Sequence, residues 1–293
     1  MTPIAWRLHR AAAVLLLLVS AGCSSADTGG TPESGAPGEP EQANGFGHVH
    51  GLGTNPADGS LYVASHVGVF RQSETGFERV ADRWQDTMGF AVAGEDRFLA
   101  SGHPDLREDR PNHLGLIEST DAAETWKSLS LEGEADFHDL EIAGDRLYGY
   151  DALSGTLMVT TDLTSWTDVL TAPLYDVEAD PSDPESLVMT DQRGALMALR
   201  VGGQPRLVPH APRLGILEWA EPRILVGLGA SGEVWVSTDS GSSWEQVGQV
   251  PGNPQAVTAT GDRWHAASDR GLFTSIDGGA TWERVDAATG GHD

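Results

Sequence analysis

The chain has 293 residues and carries 43 acidic against 18 basic side chains, a formal net charge of −25 at neutral pH. A surface this negative repels phosphate backbones and anionic lipid headgroups, which argues against binding to nucleic acid or directly to a membrane surface. The single cysteine, Cys23, rules out an internal disulfide framework.

The first 22 residues contain Arg7 and Arg10, then the apolar run from Ala11 to Val19, then Ser20, Ala21 and Gly22. That run is too short to span a bilayer and reads as a secretory signal. The V-S-A-G that precedes Cys23 resembles the bacterial lipobox, although leucine or a similar apolar residue is commoner where Ser20 stands. The resemblance implies that Cys23 becomes an acylated N-terminus and that the chain works outside the cytoplasm, anchored to the cell membrane by lipid alone. Loss of the signal removes two arginines and no acid, leaving 16 basic and 43 acidic residues and a net charge of −27. Ser24 to Asn44 has almost nothing to bury against its own chain entropy and reads as a tether. The expected organisation is a signal peptide over 1–22, a lipidated cysteine and tether over 23–45, one domain over 46–288 and a short tail over 289–293.

From Gly45 onward the chain repeats at about forty residues. Six units each show a first strand, a tight turn and an apolar second strand. The turns are NPADG at 55–59, AGEDR at 93–97, AGDR at 143–146, DPSDPES at 180–186, AEPR at 220–223 and TGDR at 260–263. The second strands read SLYVAS, RFLAS, RLYGY, SLVMT, RILVGL and RWHAAS. Four short strands per forty-residue unit predict an all-β propeller, with six blades fitting the length better than seven.

Three segments recur downstream of these turns. They are STDAAETW at 119–126, STDSGSSW at 237–244 and SIDGGATW at 275–282, with a shortened relative, TTDLTSW, at 160–166. A hydroxyl and a carboxylate two residues apart can bond the N–H groups of a tight turn, glycine supplies positive φ there, and the tryptophan packs between sheets. Ser119, Asp121, Trp126, Asp162, Trp166, Ser237, Asp239, Gly241, Trp244, Ser275, Asp277, Gly279 and Trp282 are therefore read as turn braces between the third and fourth strands, not as catalytic groups. These segments resemble the Asp-box of the BNR-repeat proteins, a group that includes sialidases, some glucan hydrolases, sortilin-type receptors and photosystem assembly factors. Blade four lacks such a segment, and blade one keeps only a remnant in QSETGF.

In an antiparallel blade the start of strand one, the end of strand two and the start of strand three share one end of the propeller. Six of the ten histidines fall there: His48 and His50 opening blade one, His66 ending its second strand, His103 ending that of blade two, His113 in the following loop, and His138 opening blade three. Aligning first strands by their turns places Met88 level with His138, and Tyr175 level with His50. Imidazoles with a thioether suit copper, and imidazoles with Asp105, Asp109 or Asp139 suit zinc. The bland alternative is a set of rim residues bonded to loop backbone, and no compact H-E-x-x-H spacing is present.

The same end is acidic, with Asp105, Glu108, Asp109, Asp139, Asp151, Asp176, Asp191 and Asp269 near it. Glycoside hydrolysis needs two opposed carboxyls, one of them with a raised pKa. Asp105, Asp109, Asp139 and Tyr175 are the catalytic candidates, with Glu178 or Glu218 as a base for Tyr175. Sialidases also clamp the substrate carboxylate with three arginines and carry a leading F/Y-R-I-P motif, which is missing here. Arg107, Arg110, Arg193, Arg213 and Arg270 are the residues that could form a divergent clamp. The stretches HVHGLGTNPADGSLYVASHVGVFR, SGHPDLREDRPNHLGLIESTD and GEADFHDLEIAGDRLYGYD are similar to bacterial Asp-box lipoproteins catalogued as glycosylhydrolase-like. Repeats specify fold and not chemistry, so the activity does not follow. The expectation is a monomeric, surface-held, non-catalytic binding or assembly module whose histidine-rich face takes a small ligand, a glycan, an extracytoplasmic protein or a copper or zinc ion. The alternative is an exo-sialidase-like glycoside hydrolase acting on extracellular glycans.

Overall fold

The computed structural model describes residues 45–285. Cys23, the tether, His9, His292 and the tail over 289–293 lie outside the described residues. The rest forms six four-stranded antiparallel sheets, each a meander of consecutive strands. Their first strands are Val49–Thr54, Asp86–Gly94, Phe137–Ala143, Leu174–Asp180, Ile216–Glu221 and Pro254–Thr260. Each first strand packs beside the next and the sixth returns to the first, so the sheets close radially into a six-bladed β-propeller. Among the described residues the one helical element is a 3₁₀ turn at Val80–Asp82.

Sheets in such a ring are covered on both faces, which is why second strands lose the alternation of a half-buried strand. Leu61–Ser65 is buried at every position. The core is accordingly divided into six apolar clusters, one at each blade interface. Closure between blades six and one uses no shared strand. Phe46, fully buried just before the first strand, meets Phe70 and Phe77 edge-on at 4.9 and 5.4 Å, in a cluster that includes Ala256, Ala267 and Leu272 of blade six. The Gln255 Oε1 also accepts from the Val49 N–H at 3.0 Å across that seam.

In blades two, five and six the third strand ends on Ser119, Ser237 and Ser275. Each hydroxyl accepts the N–H four residues on, from Ala123, Gly241 and Gly279, at 2.8–2.9 Å. It donates to Asp121, Asp239 or Asp277, whose carboxylate in turn accepts from the N–H and hydroxyl of Thr125, Ser243 or Thr281. Those bonds hold all three carboxyls ionised, with Asp239 and Asp277 pulled down to about 2. In blade three Thr160 and Asp162 make a shorter version of the turn, the carboxylate accepting from the Thr164 and Ser165 N–H groups. The indoles of Trp244 and Trp282 bond back to the Gly241 and Gly279 carbonyls at 3.0 Å, while Trp166 stacks on Phe137 with centroids 4.7 Å apart. These turns sit at the end of the propeller opposite the first-strand starts. Blade one closes its outer hairpin through Ser73 Oγ donating to Gly76 O, and blade four through a backbone turn from Gly203 N to Arg200 O.

Candidate functional site: a histidine-lined mouth above an acidic channel

Five of the six first strands begin with one residue pushed out of register: His50, Met88, His138, Tyr175 and Gln255. A bulge of this kind re-aims the extra side chain. All five line the central cavity of about 750 Å³. The turn-based alignment treated Met88 with His138, and Tyr175 with His50, as two levels; the bulges put all four at one equivalent position. His48, Asp86 and Asp136 stand two residues before their bulges and are equivalent in the same sense, as are His66, His103 and Ala152 at the ends of the second strands.

The six histidines gather at this end. His48, His50 and His66 have ring centroids 4.5–5.7 Å apart, and His103 lies 5.4 Å from His113. Burial, followed by the neighbouring rings of His66, His48, His138 and His103, pushes His50 down to about 2, so it is a neutral imidazole at any physiological pH. Two carboxylates organise the set. Asp86 Oδ2 lies 3.1 Å from His66 Nδ1, and its Oδ1 lies 3.9 Å from His50 Nε2. Asp136 Oδ2 is 3.0 Å from His138 Nε2, 3.7 Å from His113 Nδ1 and 3.8 Å from His103 Nε2. Burial opposes ionisation of Asp136, but the His138 hydrogen bond and the neighbouring imidazoles outweigh it and keep its carboxyl low. His50 Nε2, Asp86 Oδ1, His113 Nδ1 and Asp136 Oδ1 are all buried without a hydrogen-bond partner.

Below the imidazoles the channel is acidic. The innermost strands have a free edge, and its N–H groups are capped by carboxyls from the preceding blade. Asp139 accepts from Val177 N at 2.7 Å, Asp176 from Leu217 N at 2.5 Å, Glu178 from Trp219 N at 2.9 Å and Glu218 from Ala259 N at 3.2 Å. Each such cap avoids an orphaned buried donor, which would cost about 1–3 kcal/mol. Crowding the carboxyls has an electrostatic consequence. Burial first and mutual repulsion second raise Asp139, Glu141 and Glu178 well above the usual range, while burial moves Asp176 up to about 6 and Glu218 up to about 8.

The other candidates are dispersed. Asp105 is tied to Arg107 and to the Trp84 N–H, which hold its carboxyl low. Asp151, Asp191 and Asp269 likewise accept loop N–H groups. Asp109 is exposed on its loop. Tyr175 is exposed at the mouth, and among the described residues no hydrogen bond joins it to Glu178 or Glu218. The arginines do not assemble into a clamp: Arg107 pairs with Asp105, Arg110 with Glu132, and Arg193 and Arg213 border a separate cavity. Among the described residues no arginine lines the central channel. His210 lies in a turn, and His265 is buried in blade six against Thr274 Oγ1 at 2.9 Å, its pKa lowered to about 4 by burial.

Sequence reasoning missed Asp86, Asp136 and Glu141. The first two occupy the place of His48 in the next two repeats, a signal that appears once the bulges are aligned. Glu141, Glu178 and Glu218 follow from alternation: on strands reading DLE, YDVE and LE, the acids point to the axis together.

The chain is thus a six-bladed β-propeller with an open, histidine-lined mouth. No family model matches it. A xyloglucanase from Paenibacillus sp is 24% identical over 280 residues, taking in 81% of this chain and 26% of the relative. A solved GH74 xyloglucanase from Xanthomonas campestris superposes with a TM-score of 0.55 at 17% identity, covering 82% of this chain and 45% of that one. YCF48, solved bound to a D1 peptide, superposes with a TM-score of 0.55 at 11% identity, covering 79% of this chain and 94% of that one. This chain spans about a quarter of the curated relative and under half of the xyloglucanase structure. At these identities the likeness establishes the shared fold.

Proposed function

We propose that this protein is an Asp-box propeller, held outside the cell membrane through Cys23, that binds a divalent transition-metal ion of the zinc–copper class at its histidine-lined mouth and does not itself turn over a substrate. The observation that carries this reading is the set of six imidazoles and two carboxylates at one opening, four of whose polar atoms are buried without hydrogen-bond partners. Buried polar groups without partners are costly unless something else satisfies them, and neutral imidazole beside carboxylate is the donor chemistry of zinc and copper(II). The His-to-carboxylate ratio argues against calcium or magnesium, which take oxygen ligands. Calorimetric titration of the chelator-treated full chain with zinc chloride and copper(II) chloride at pH 7.5 tests it. Saturable binding tighter than about 10 µM is expected, and no binding up to about 1 mM overturns the reading.

A second reading, glycoside hydrolysis, draws on the channel carboxyls. Burial raises both Asp176 and Glu218, Glu218 the further, and a carboxyl that keeps its proton near an ionised one is what acid-assisted glycoside cleavage requires. The likeness to xyloglucanases points the same way. Turnover of aryl glycosides or xyloglucan by the purified chain, lost in Glu218→Gln, would establish it in place of the first; no turnover removes it.

A further inference from the structure

We infer that the mouth holds two separate metal centres, related by the propeller repeat and placed at consecutive blade interfaces. The inference rests on the metal-binding reading above and specifies its stoichiometry and ligands. The first centre, between blades one and two, takes His50, His66 and Asp86, with His48 beside them. The second, between blades two and three, takes His103, His113 and Asp136, with His138 beside them. In each triple, one donor atom from every residue lies within 4.8 Å of the others.

The repeat supplies the first argument. His66 and His103 occupy the same place at the ends of successive second strands, and Asp86 and Asp136 the same place two residues before successive bulges. Each centre therefore draws its second-strand imidazole from one blade and its carboxylate from the next. The bulge position contributes His50 to the first centre. In blade two that position is Met88, and the missing imidazole is replaced by His113 from the loop after the second strand. One interface further on, the equivalent places hold Ala152 and Pro173, and the donor set ends.

Distance supplies the second argument. Two ligand atoms of a tetrahedral zinc site lie about 3.3 Å apart, given bonds of about 2.0–2.1 Å. The nitrogen-to-carboxylate separations here, 3.1 and 3.9 Å at the first centre and 3.0, 3.7 and 3.8 Å at the second, bracket that value. Separations of 3.7–3.9 Å are too long for hydrogen bonds and suit atoms that share an ion. Each centre also has one buried nitrogen and one buried carboxylate oxygen without a hydrogen-bond partner: His50 Nε2 with Asp86 Oδ1, and His113 Nδ1 with Asp136 Oδ1. With the adjoining fourth residue, both centres become three imidazoles and one carboxylate, a set suited to zinc or copper(II).

The test is the count of bound zinc. The chelator-treated full chain, titrated with zinc chloride at pH 7.5, is expected to take up two equivalents. His66→Ala and His103→Ala, at partly exposed side chains, should each leave one equivalent, and the double variant none. Asp86→Asn and Asp136→Asn, which keep side-chain shape, should each weaken one of the two sites by at least about 10-fold. His210→Ala should keep both, and circular dichroism confirms that every variant is folded. A single equivalent in the unaltered chain, or the loss of both equivalents in either single histidine variant, overturns the two-centre inference while metal binding stands. No uptake at all overturns both.

Discussion

Replacing Glu218 by glutamine isolates the cost of packing carboxyls around the channel. The native side chain accepts the Ala259 N–H at 3.2 Å, and burial pushes its pKa up to about 8. A glutamate in the unfolded chain titrates near 4.5, so between that pH and about 8 the folded protein retains a proton that the unfolded chain has released. Native protons then exceed unfolded ones, and stability must fall as pH rises through this window. From 4.5 to 7.5 the interval is 3 units, worth at most about 4 kcal/mol at 1.36 kcal/mol per unit. Neighbouring carboxyls share part of that, which leaves about 1–2 kcal/mol for this residue. Glutamine keeps the acceptor and never ionises. Glu218→Gln is therefore expected to raise the melting temperature by about 3–6 °C at pH 7.5 and to leave it nearly unchanged at pH 4.5. Differential scanning calorimetry at the two pH values measures this. A variant that melts lower at pH 7.5, or shifts equally at both, would refute the account of the channel as a set of reluctantly ionised acids.

Phe46→Ala opens the aromatic seam between blades six and one and should cost about 3–5 kcal/mol in urea unfolding; a loss under about 1 kcal/mol would mean that the seam does not hold the ring closed. Ser237→Ala strips the acceptor from the buried Gly241 N–H and should cost about 1–3 kcal/mol, whereas unchanged urea stability would show the turn brace to be ornamental.

The forty-residue period, the turns and the unbroken apolar second strands determine the blades, because a sheet covered on both faces leaves its imprint on composition alone. The clustering of six histidines at one end was legible for a related reason: strand direction within a meander decides which end a residue reaches. Other features exist only once the ring closes. Asp86 and Asp136 are ordinary acids in sequence, and they become partners of imidazoles because each blade sets the start of its first strand against the end of its neighbour's second. Glu141, Glu178 and Glu218 converge because alternation aims them at an axis that no single blade contains. Arg107 and Arg110 stay off that axis because Asp105 and Glu132 hold them in ion pairs. Periodicity and strand direction are carried by near neighbours along the chain, whereas the donor sets and the crowded carboxyls of the channel combine side chains from successive blades, which only the packing of blade against blade brings together.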